Sequence, residues 1–325
     1  MVISSWLCIT LRQRELKKIL KMFENLCATL ELIGISQSPN KLSRRLMIHA
    51  VILNVVWIFL FCFDHAMLVN NKLFRYDIWM PFNFPRIVSH NVVIMFLNSL
   101  LIAKKFFHLL NKKIHTIPDV LTSKPILLRK RLQTSEPCGL QSCVVPGPLE
   151  VCGQIHSDLV TFTEITVKFF SLSILLVLLV HLVQMAADLY IMCMMIRLQR
   201  FWTQTEVIVF AILACWFLLH FSQTVALLGI PDSTVNEANR AGKMLHQMLA
   251  YDDTRRYVDT GQILSLRFLQ RRLTISLWGL FQMRLSIMHT IIGTVGTYLT
   301  VMMQLDGQDI HEKMLNETIV QSLRT

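Results

Sequence analysis

The stretch from Phe169 to Ala187 reads FFSLSILLVLLVHLVQMAA and carries no charged side chain. A helix needs about 20 mostly apolar residues to cross a bilayer, so this stretch is long enough for a membrane span. The chain as a whole agrees, since 53% of its 325 residues are hydrophobic, 16% are charged and the mean hydropathy is +0.49. So little charge cannot cover the surface of an ordinary soluble enzyme. The composition therefore predicts an all-α integral membrane protein and excludes a disordered chain, a collagen-like fibre or a coiled coil.

Four further uncharged apolar stretches lie on either side of this one. They are Leu46–Phe63, Ile87–Ala103, Val207–Ile230, which ends at Pro231, and Leu285–Leu305. The stretch Leu273–Met283 is also apolar but too short to cross a bilayer, so we expect it to form a half-helix that leads into the last span. The sequence thus predicts a multi-span helical bundle with five spans.

Basic residues set the expected orientation of these spans. The net charge is +11, and lysine and arginine are concentrated in residues 1–45, 104–168 and 231–272. The positive-inside rule places these segments, and with them the N-terminus, in the cytoplasm. An odd number of spans then places the C-terminal tail outside, where the sequon Asn316-Glu317-Thr318 lies, so we expect glycosylation of Asn316. A basic chain can also bind nucleic acid, but the hydrophobicity argues against that partner.

These patterns divide the chain into consecutive segments. We expect a cytoplasmic N-terminal segment (1–45), two transmembrane helices (46–113), an atypical insert (114–153), two more transmembrane helices (154–230), a cytoplasmic loop with the half-helix (231–284), the last transmembrane helix (285–305) and an extracellular tail (306–325). The insert is rich in proline, glycine and cysteine and shows no helical period, which is typical of a loop. Its cysteines, Cys138, Cys143 and Cys152, are expected to be reduced in the cytoplasm.

The cytoplasmic loop carries two candidate helices. Thr234 and Glu237 have the spacing of a capping box, which predicts a helix start. Two apolar faces follow, the first at Met244, Leu245, Met248 and Leu249 and the second at Ile263, Leu264, Phe268 and Leu269. Such faces lie on the membrane surface or pack against neighbouring subunits, and the pattern alone favours the membrane surface.

A search for catalytic chemistry finds no constellation of residues. The chain has no P-loop, GxGxxG, HExxH or GxSxG motif, and His311-Glu312 lacks a second histidine because Leu315 stands at that position. Ionisable residues in or beside the apolar runs are His49, His90, His181, His220, His289, Asp64, Asp188 and Arg284. Taken singly, each is interpreted as a packing or interface residue. We therefore expect no enzyme activity, no cofactor and no metal site.

The last span carries the family resemblance. Residues 296–305 read GTYLTVMMQL, which resembles the C-terminal signature of insect gustatory receptors: Thr-Tyr, five mostly hydrophobic residues, Gln and Phe. Thr297, Tyr298 and Gln304 match this signature, and Leu305 stands in place of the Phe. The stretches His156–Tyr190, Ser233–Arg272 and Gly279–Phe281 also resemble the family's fifth helix, cytoplasmic loop and approach to the last helix.

The resemblance implies a seven-helix receptor with a cytoplasmic N-terminus, whereas the sequence predicts five spans. The first two spans match the family's first two and the last three match its fifth to seventh. The family's third and fourth helices are therefore expected to be missing or degraded, with the 114–153 insert in their place. Loss of a pair of helices keeps every later span in its original direction, so the charge distribution still fits.

The resemblance also implies a function. Insect gustatory receptors are ligand-gated, non-selective cation channels of the plasma membrane, built as homo- or hetero-tetramers. In them the last helix lines the pore, the other helices form a ligand pocket toward the outer side, and the cytoplasmic loop joins the subunits. The implied partners are a small-molecule tastant, permeating cations, membrane lipid and other receptor subunits. Leu299 stands where sweet-taste members often carry Glu, which favours bitter or other non-sugar tastants.

The residues of the last span allow this role. Thr297, Val301, Gln304 and Leu305 fall at i, i+4, i+7 and i+8, so they share one helical face that could form the pore and gate. The same face could instead pack inside a bundle, since small glycines such as Gly296 permit close helix approach. The spacing alone favours packing, and the resemblance favours the pore.

Four alternatives compete with this interpretation. A membrane enzyme or transporter would need paired ionisable residues in the spans or an internal repeat, and neither is evident. An odorant receptor of the related channel family would share the fold and mechanism, and a truncated, non-functional receptor product would explain the missing helices. A G-protein-coupled receptor would need an external N-terminus, which the basic residues in segment 1–45 oppose.

Overall fold

The computed structural model describes residues 13–32, 39–70, 76–123, 148–198, 203–251 and 258–322. Their helices are α1 (Gln13–Leu32), α2 (Pro39–Asn70), α3 (Tyr76–Ser123), α4 (Pro148–Leu198), α5 (Gln204–Tyr251), α6 (Val258–Gln270) and α7 (Ile287–Ser322). A two-stranded antiparallel hairpin, β1 (Ser276–Leu277) and β2 (Phe281–Gln282), separates α6 from α7. The prediction of a helical membrane protein is confirmed at this level.

Three of the described helices are long and apolar enough to cross a membrane, by length and composition. Their apolar parts are Ile87–Thr116 in α3, Leu149–Arg197 in α4 and Gln204–Gln247 in α5. Each contains one of the predicted spans. The other two predicted spans lie in α2, whose apolar run Ala50–Ala66 is shorter, and in α7. The count of five spans and their orientation stay predictions.

The three long helices extend well beyond a bilayer. They contain 48, 51 and 48 residues. At a rise of 1.5 Å per residue they are about 72–77 Å long, more than twice the thickness of the hydrocarbon core. The predicted span in each helix lies toward one end, so the remaining turns form a helical assembly on the side predicted to be cytoplasmic.

Contacts between α3 and α5 show that these helices run in the same direction. The amide of Gln223 lies 2.8 Å from His90 Nδ1, and farther along both helices Lys104 Nζ donates to Ser233 Oγ at 3.0 Å. Parallel helices fit spans that both descend from the outer side to the inner side, as the orientation prediction requires.

Helix α4 runs antiparallel to α5. His181, late in α4, lies 3.3 Å from the hydroxyl of Thr224, whereas His156, early in α4, lies 3.1 Å from the carbonyl of Ala238. One hydrophobic core follows these helices along their length. Its fully buried members include Phe96, Phe107, Leu110, Ile155, Leu159, Ile174, Leu227 and Leu245.

The amphipathic α1 packs on the outside of this core. Ile19, Leu26 and Leu30 are buried, while the intervening positions are mostly polar and exposed. Helix α2 instead shows one face of exposed apolar side chains, among them Val51, Val55 and Phe59. An exposed apolar face of this kind is suited to lipid rather than water.

Helix α5 continues past Pro231, where the predicted span ends, which corrects the expectation that a separate helix begins at Thr234. The helix passes through Pro231 without a break, and the predicted capping box at Thr234 is absent. Proline removes one backbone donor and normally interrupts a helix. Here the hydroxyls of Ser233 and Thr234 both donate to the carbonyl of Ile230, at 2.9 and 2.8 Å, and Leu227 one turn earlier is fully buried. These bonds do not replace the missing donor, whose acceptor would be the carbonyl of Leu227. Packing of the fully buried Leu227, Leu228 and Thr234 on both sides of Pro231 holds the helix together, so the span and the first loop helix are one element.

The stretch Leu273–Met283 forms the β-hairpin, so the prediction of a half-helix is wrong. Trp278 and Gly279 both have positive φ, 52° and 72°, and the N–H of Leu280 donates to the carbonyl of Leu277 at 2.9 Å. Two left-handed residues in succession are typical of the tight turns that join β-strands. The signal was present in the alternation Leu-Thr-Ile-Ser-Leu, because the three apolar members are buried and face one side.

The two ends of segment 114–153 are helical, which corrects the expectation of an irregular insert there. Helix α3 continues to Ser123, and α4 begins at Pro148. Proline suits the first position of a helix because its missing N–H would have no helical partner there. Ile114, Leu149 and Cys152 are buried in the core, and Cys152 is a free thiol. The predictions for Cys138 and Cys143 concern positions outside the described residues.

The second loop helix, α6, packs into the same core. Leu264 and Phe268 are buried, whereas Ile263 and Leu269 remain exposed. Gly153 permits the close approach of α6 to α4, because a Cβ there would lie 2.2 Å from Leu264 Cδ1. The apolar faces of the cytoplasmic loop are therefore used largely within the chain, which corrects the interpretation that they lie on the membrane surface.

Candidate pore helix and transmembrane histidine cluster

Helix α7 contains every residue predicted to form the pore. It packs against α4 and, less extensively, α5 through its first turns. Among its described side chains, Met288 and Val295 are buried, and Leu299 is half-buried on the same side. Up to Leu305, the opposite side of α7 is exposed and faces away from the other described helices.

The predicted pore residues occupy that outward side. Thr297, Val301, Gln304 and Leu305 are all exposed, as is Tyr298 of the family motif. At about 100° per residue, Thr297, Val301 and Gln304 lie about 180–240° around the helix from Val295. The structure therefore places these three opposite the face that binds the helix to its own chain, with Leu305 at the flank.

Gly293, Gly296, Thr297 and Thr300 are exposed and meet no other described element. An added Cβ at Gly293 or Gly296 would meet no described atom within 4 Å. The hydroxyls of Thr297 and Thr300 donate to the carbonyls of Gly293 and Gly296, both at 2.9 Å. The packing alternative for this face is thus not realised within the described part of the chain, and the face is open to other molecules.

A second candidate site is a cluster of histidine and tryptophan rings between α2, α3, α4 and α5. We call it the histidine cluster; its members are Trp57, His90, His181, Trp216 and His220. All five are buried. The rings of His181 and His220 are 5.0 Å apart between centroids, and Trp216 stacks on His220 at 5.9 Å.

The same rings continue toward α2 and α3. Trp57 lies 5.8 Å from His90 in a stacked arrangement and 5.9 Å from Trp216 edge to face. Gln223 and Thr224 add an amide and a hydroxyl to His90 and His181. The cluster thus combines flat aromatic surfaces with hydrogen-bonding atoms inside an apolar bundle, which suits a small molecule that has both features.

Sequence reasoning singled out the three histidines but treated each as an isolated packing residue. Their meeting depends on the register of three helices, which no local pattern reveals. The two tryptophans were missed. One signal was available: with alternating span directions, His90, His181 and Trp57 all fall in the middle or outer part of their predicted spans.

The other candidates lie apart from both sites. His289 and Arg284 are exposed, Asp188 is buried and accepts from Gln184 at 2.9 Å, and the side chain of His49 lies outside the described residues. Asn316 lies within α7, although its side chain is outside the described residues. Within the described ranges, no group of three or more His, Cys, Asp or Glu side chains is placed to hold a metal ion.

Comparison with known proteins identifies the family. No curated protein matches the chain. The model of the 7tm Chemosensory receptor family matches residues 1–308, which takes in every helix described above up to the outward face of α7. The resemblance drawn from the last span is confirmed, and the chain belongs to the 7tm chemosensory receptor family.

Proposed function

We propose that this chain is a gustatory receptor subunit that acts as a ligand-gated, non-selective cation channel in the plasma membrane. The family assignment supports a receptor for small molecules. The gustatory role rests on Thr297, Tyr298 and Gln304 of the family signature, and Leu299 favours bitter or other non-sugar tastants. An odorant receptor of the related channel family would work by the same mechanism.

The observation that carries the proposal is the open face of α7. Thr297, Val301 and Gln304 point away from the chain that holds the helix, although this part of the helix lies in a predicted span. Polar side chains facing lipid would cost free energy, because the hydrocarbon offers them no hydrogen bonds. Four copies arranged around an axis would instead turn these faces toward one another and toward water.

Such an arrangement explains the chemistry of the face. Four Gln304 amides would form a polar ring that partly replaces the hydration shell of a passing cation. Val301 and Leu305 would supply apolar constrictions next to it, which close a pore by excluding water. No charged side chain lies on the exposed face from Gly293 to Leu305, in keeping with weak ion selectivity.

The histidine cluster is our candidate for the ligand site. It lies in the middle-to-outer part of the predicted spans, whereas the cytoplasmic ends of the same helices form a closed apolar core. A tastant bound among these rings would contact α3, α4 and α5 together. Helix α4 also carries the packing face of α7, so it offers a mechanical connection from ligand to pore.

The direct test is Gln304→Ala, recorded as current through single channels in cells that express the protein. We expect surface expression to be unchanged and the conductance or the open probability to change, because the amide ring is lost. Gln247→Ala is the matched control, since Gln247 is exposed on the cytoplasmic part of α5. Unchanged currents in Gln304→Ala would argue against a pore position, and absence of any current from the intact chain would favour a non-functional product.

A further inference from the structure

The tip of the β-hairpin exposes two large apolar side chains. Trp278 is 66% exposed and Leu280 is 69% exposed, while Leu277 beside them is fully buried. Trp278 also has a left-handed backbone conformation, which is unfavourable for a bulky residue and is normally adopted by glycine or asparagine. A tryptophan at this position is difficult to explain by the fold alone, since most of its ring is exposed and its backbone is strained.

Two contacts fix the depth of the hairpin tip. The N–H of Trp278 donates to Ser171 Oγ at 2.9 Å, and Ser171 lies in the first turn of the predicted span Phe169–Ala187. Leu285, which follows the hairpin, lies beside Gly229, whose added Cβ would be 3.8 Å from Leu285 Cδ1. Gly229 is next to the last residue of another predicted span. Both contacts therefore place the tip at the cytoplasmic boundary of the membrane.

The base of the hairpin lies deeper in the cytoplasm. The backbone N–H and C=O of Leu273 both bond to the side chain of Asn239, each at 3.1 Å. Asn239 is nine residues beyond the predicted span end at Ile230, which corresponds to about 13 Å along a helix. The hairpin thus rises from the cytoplasmic assembly and presents its apolar tip to the membrane.

Basic side chains flank the tip. Lys168 is exposed one turn before Ser171 on the same face of α4, and Arg284 is exposed next to Leu285. The stretch from Phe268 to Ser286 contains three arginines and no acidic residue. An apolar tip with basic neighbours, at the depth of the lipid headgroups, matches the distribution of tryptophan and basic residues at membrane interfaces.

We propose that Trp278 and Leu280 insert into the inner leaflet and that Lys168 and Arg284 bind the headgroups of anionic phospholipids there. The bound lipid would hold the hairpin that leads directly into α7, and so would influence the position of the pore helix. A second copy of this chain is a poorer occupant, because the stretch around the tip is uniformly basic and would repel an equally basic surface.

The insertion is tested by fluorescence quenching of the full chain in nanodiscs that contain phosphatidylcholine and phosphatidylserine. Lipids brominated near the headgroup end of the acyl chain should quench the wild type more strongly than Trp278→Phe. Lipids brominated at the methyl end should quench the two proteins to the same extent. Trp216→Phe is the matched control, because Trp216 is buried in the bundle and its removal should leave the shallow-quenched component intact.

The headgroup contact is tested by measuring which lipids co-purify with the protein. The Lys168→Gln, Arg284→Gln double variant should lower the enrichment of phosphatidylserine over phosphatidylcholine by about fivefold for each charge removed. The double variant Lys243→Gln, Arg267→Gln removes two exposed charges from α5 and α6 and should leave the enrichment unchanged. The proposal is overturned if Trp278→Phe retains the full shallow-quenched component, or if the two double variants behave alike.

Discussion

At the residue scale, the proposed function depends on two sets of side chains, the outward face of α7 and the histidine cluster. The shared face of Thr297, Val301 and Gln304 follows from the spacing within one helix, and the structure places all three on one outward side. The histidine cluster could not be predicted as a unit. His90, His181 and His220 meet only because α3 and α5 run parallel and α4 runs against them, so their contact depends on relations between helices.

The ligand role of the cluster is tested by His220→Phe. Phenylalanine keeps a flat ring that can still stack on Trp216, so we expect folding and surface expression to persist. The ring nitrogens are lost, and a ligand group that bonds to them would be left unsatisfied, so the half-maximal agonist concentration should rise about tenfold or more. The measurement is a dose–response curve for an agonist found in a panel of bitter compounds.

The control for this variant is His115→Phe, an exposed histidine on the cytoplasmic part of α3. We expect its dose–response curve to match the wild type. An equal rise of the half-maximal agonist concentration in both variants would show that the histidine cluster is not the ligand site. The same would follow if His220→Phe left this concentration unchanged for every agonist.

At the element scale, the apolar stretches predicted where most helices lie, but not where they end. Pro231 indicated a helix end, yet α5 continues because buried side chains on both sides of the proline, Leu227 and Thr234 among them, pack in the bundle. The alternation before Trp278 indicated a strand, yet the high apolar content of Leu273–Met283 suggested a helix. At Pro231 and in Leu273–Met283, the local sequence pattern is compatible with two structures, and tertiary packing determines which one forms.

The continuity of α5 makes a prediction about stability. Leu245 lies beyond the predicted span, yet it is fully buried in the core that α5 shares with its neighbours. Leu245→Ala should therefore destabilise the chain by about 2–5 kcal/mol. Leu266→Ala, on α6, changes the same residue type at a position that is 58% exposed, and should cost less than about 0.5 kcal/mol.

The two leucine variants are compared by thermal unfolding in detergent. A clearly lower melting temperature for Leu245→Ala than for Leu266→Ala is expected. Equal melting temperatures would mean that the part of α5 beyond Ile230 is not packed in the core. This part would then be a separate surface helix.

At the scale of the whole molecule, hydrophobicity predicted a helical membrane protein, and the signature Thr297, Tyr298 and Gln304 in the last span predicted the receptor family. The family match over residues 1–308 bears out both. The parallel and antiparallel directions of α3, α4 and α5 fit the predicted alternation of spans. Composition could not reveal the helical assembly outside the predicted spans, because its buried leucines are chemically like the leucines of the spans. This assembly exists because the three long helices are more than twice as long as the hydrocarbon core of a bilayer is thick.

The orientation of the molecule is tested by adding a C-terminal extension that carries extra sequons well beyond the membrane. With a cytoplasmic N-terminus and five spans, the extension should be glycosylated in insect cells and should become smaller on a gel after glycosidase treatment. A stable, unglycosylated extension would show that a span is miscounted or the orientation reversed.

The central claim is that the outward face of α7 lines a cation pore, and cysteine substitution along that helix tests it most directly. A positively charged thiol reagent is applied during recording, with the wild type as the control for native cysteines. We predict block of current for Thr297→Cys, Val301→Cys and Gln304→Cys, and none for Val295→Cys or Leu299→Cys, which face the helix's own chain. Block of Val295→Cys or Leu299→Cys would contradict a pore-lining role for the outward face of α7. So would the absence of block at all five positions in channels that conduct.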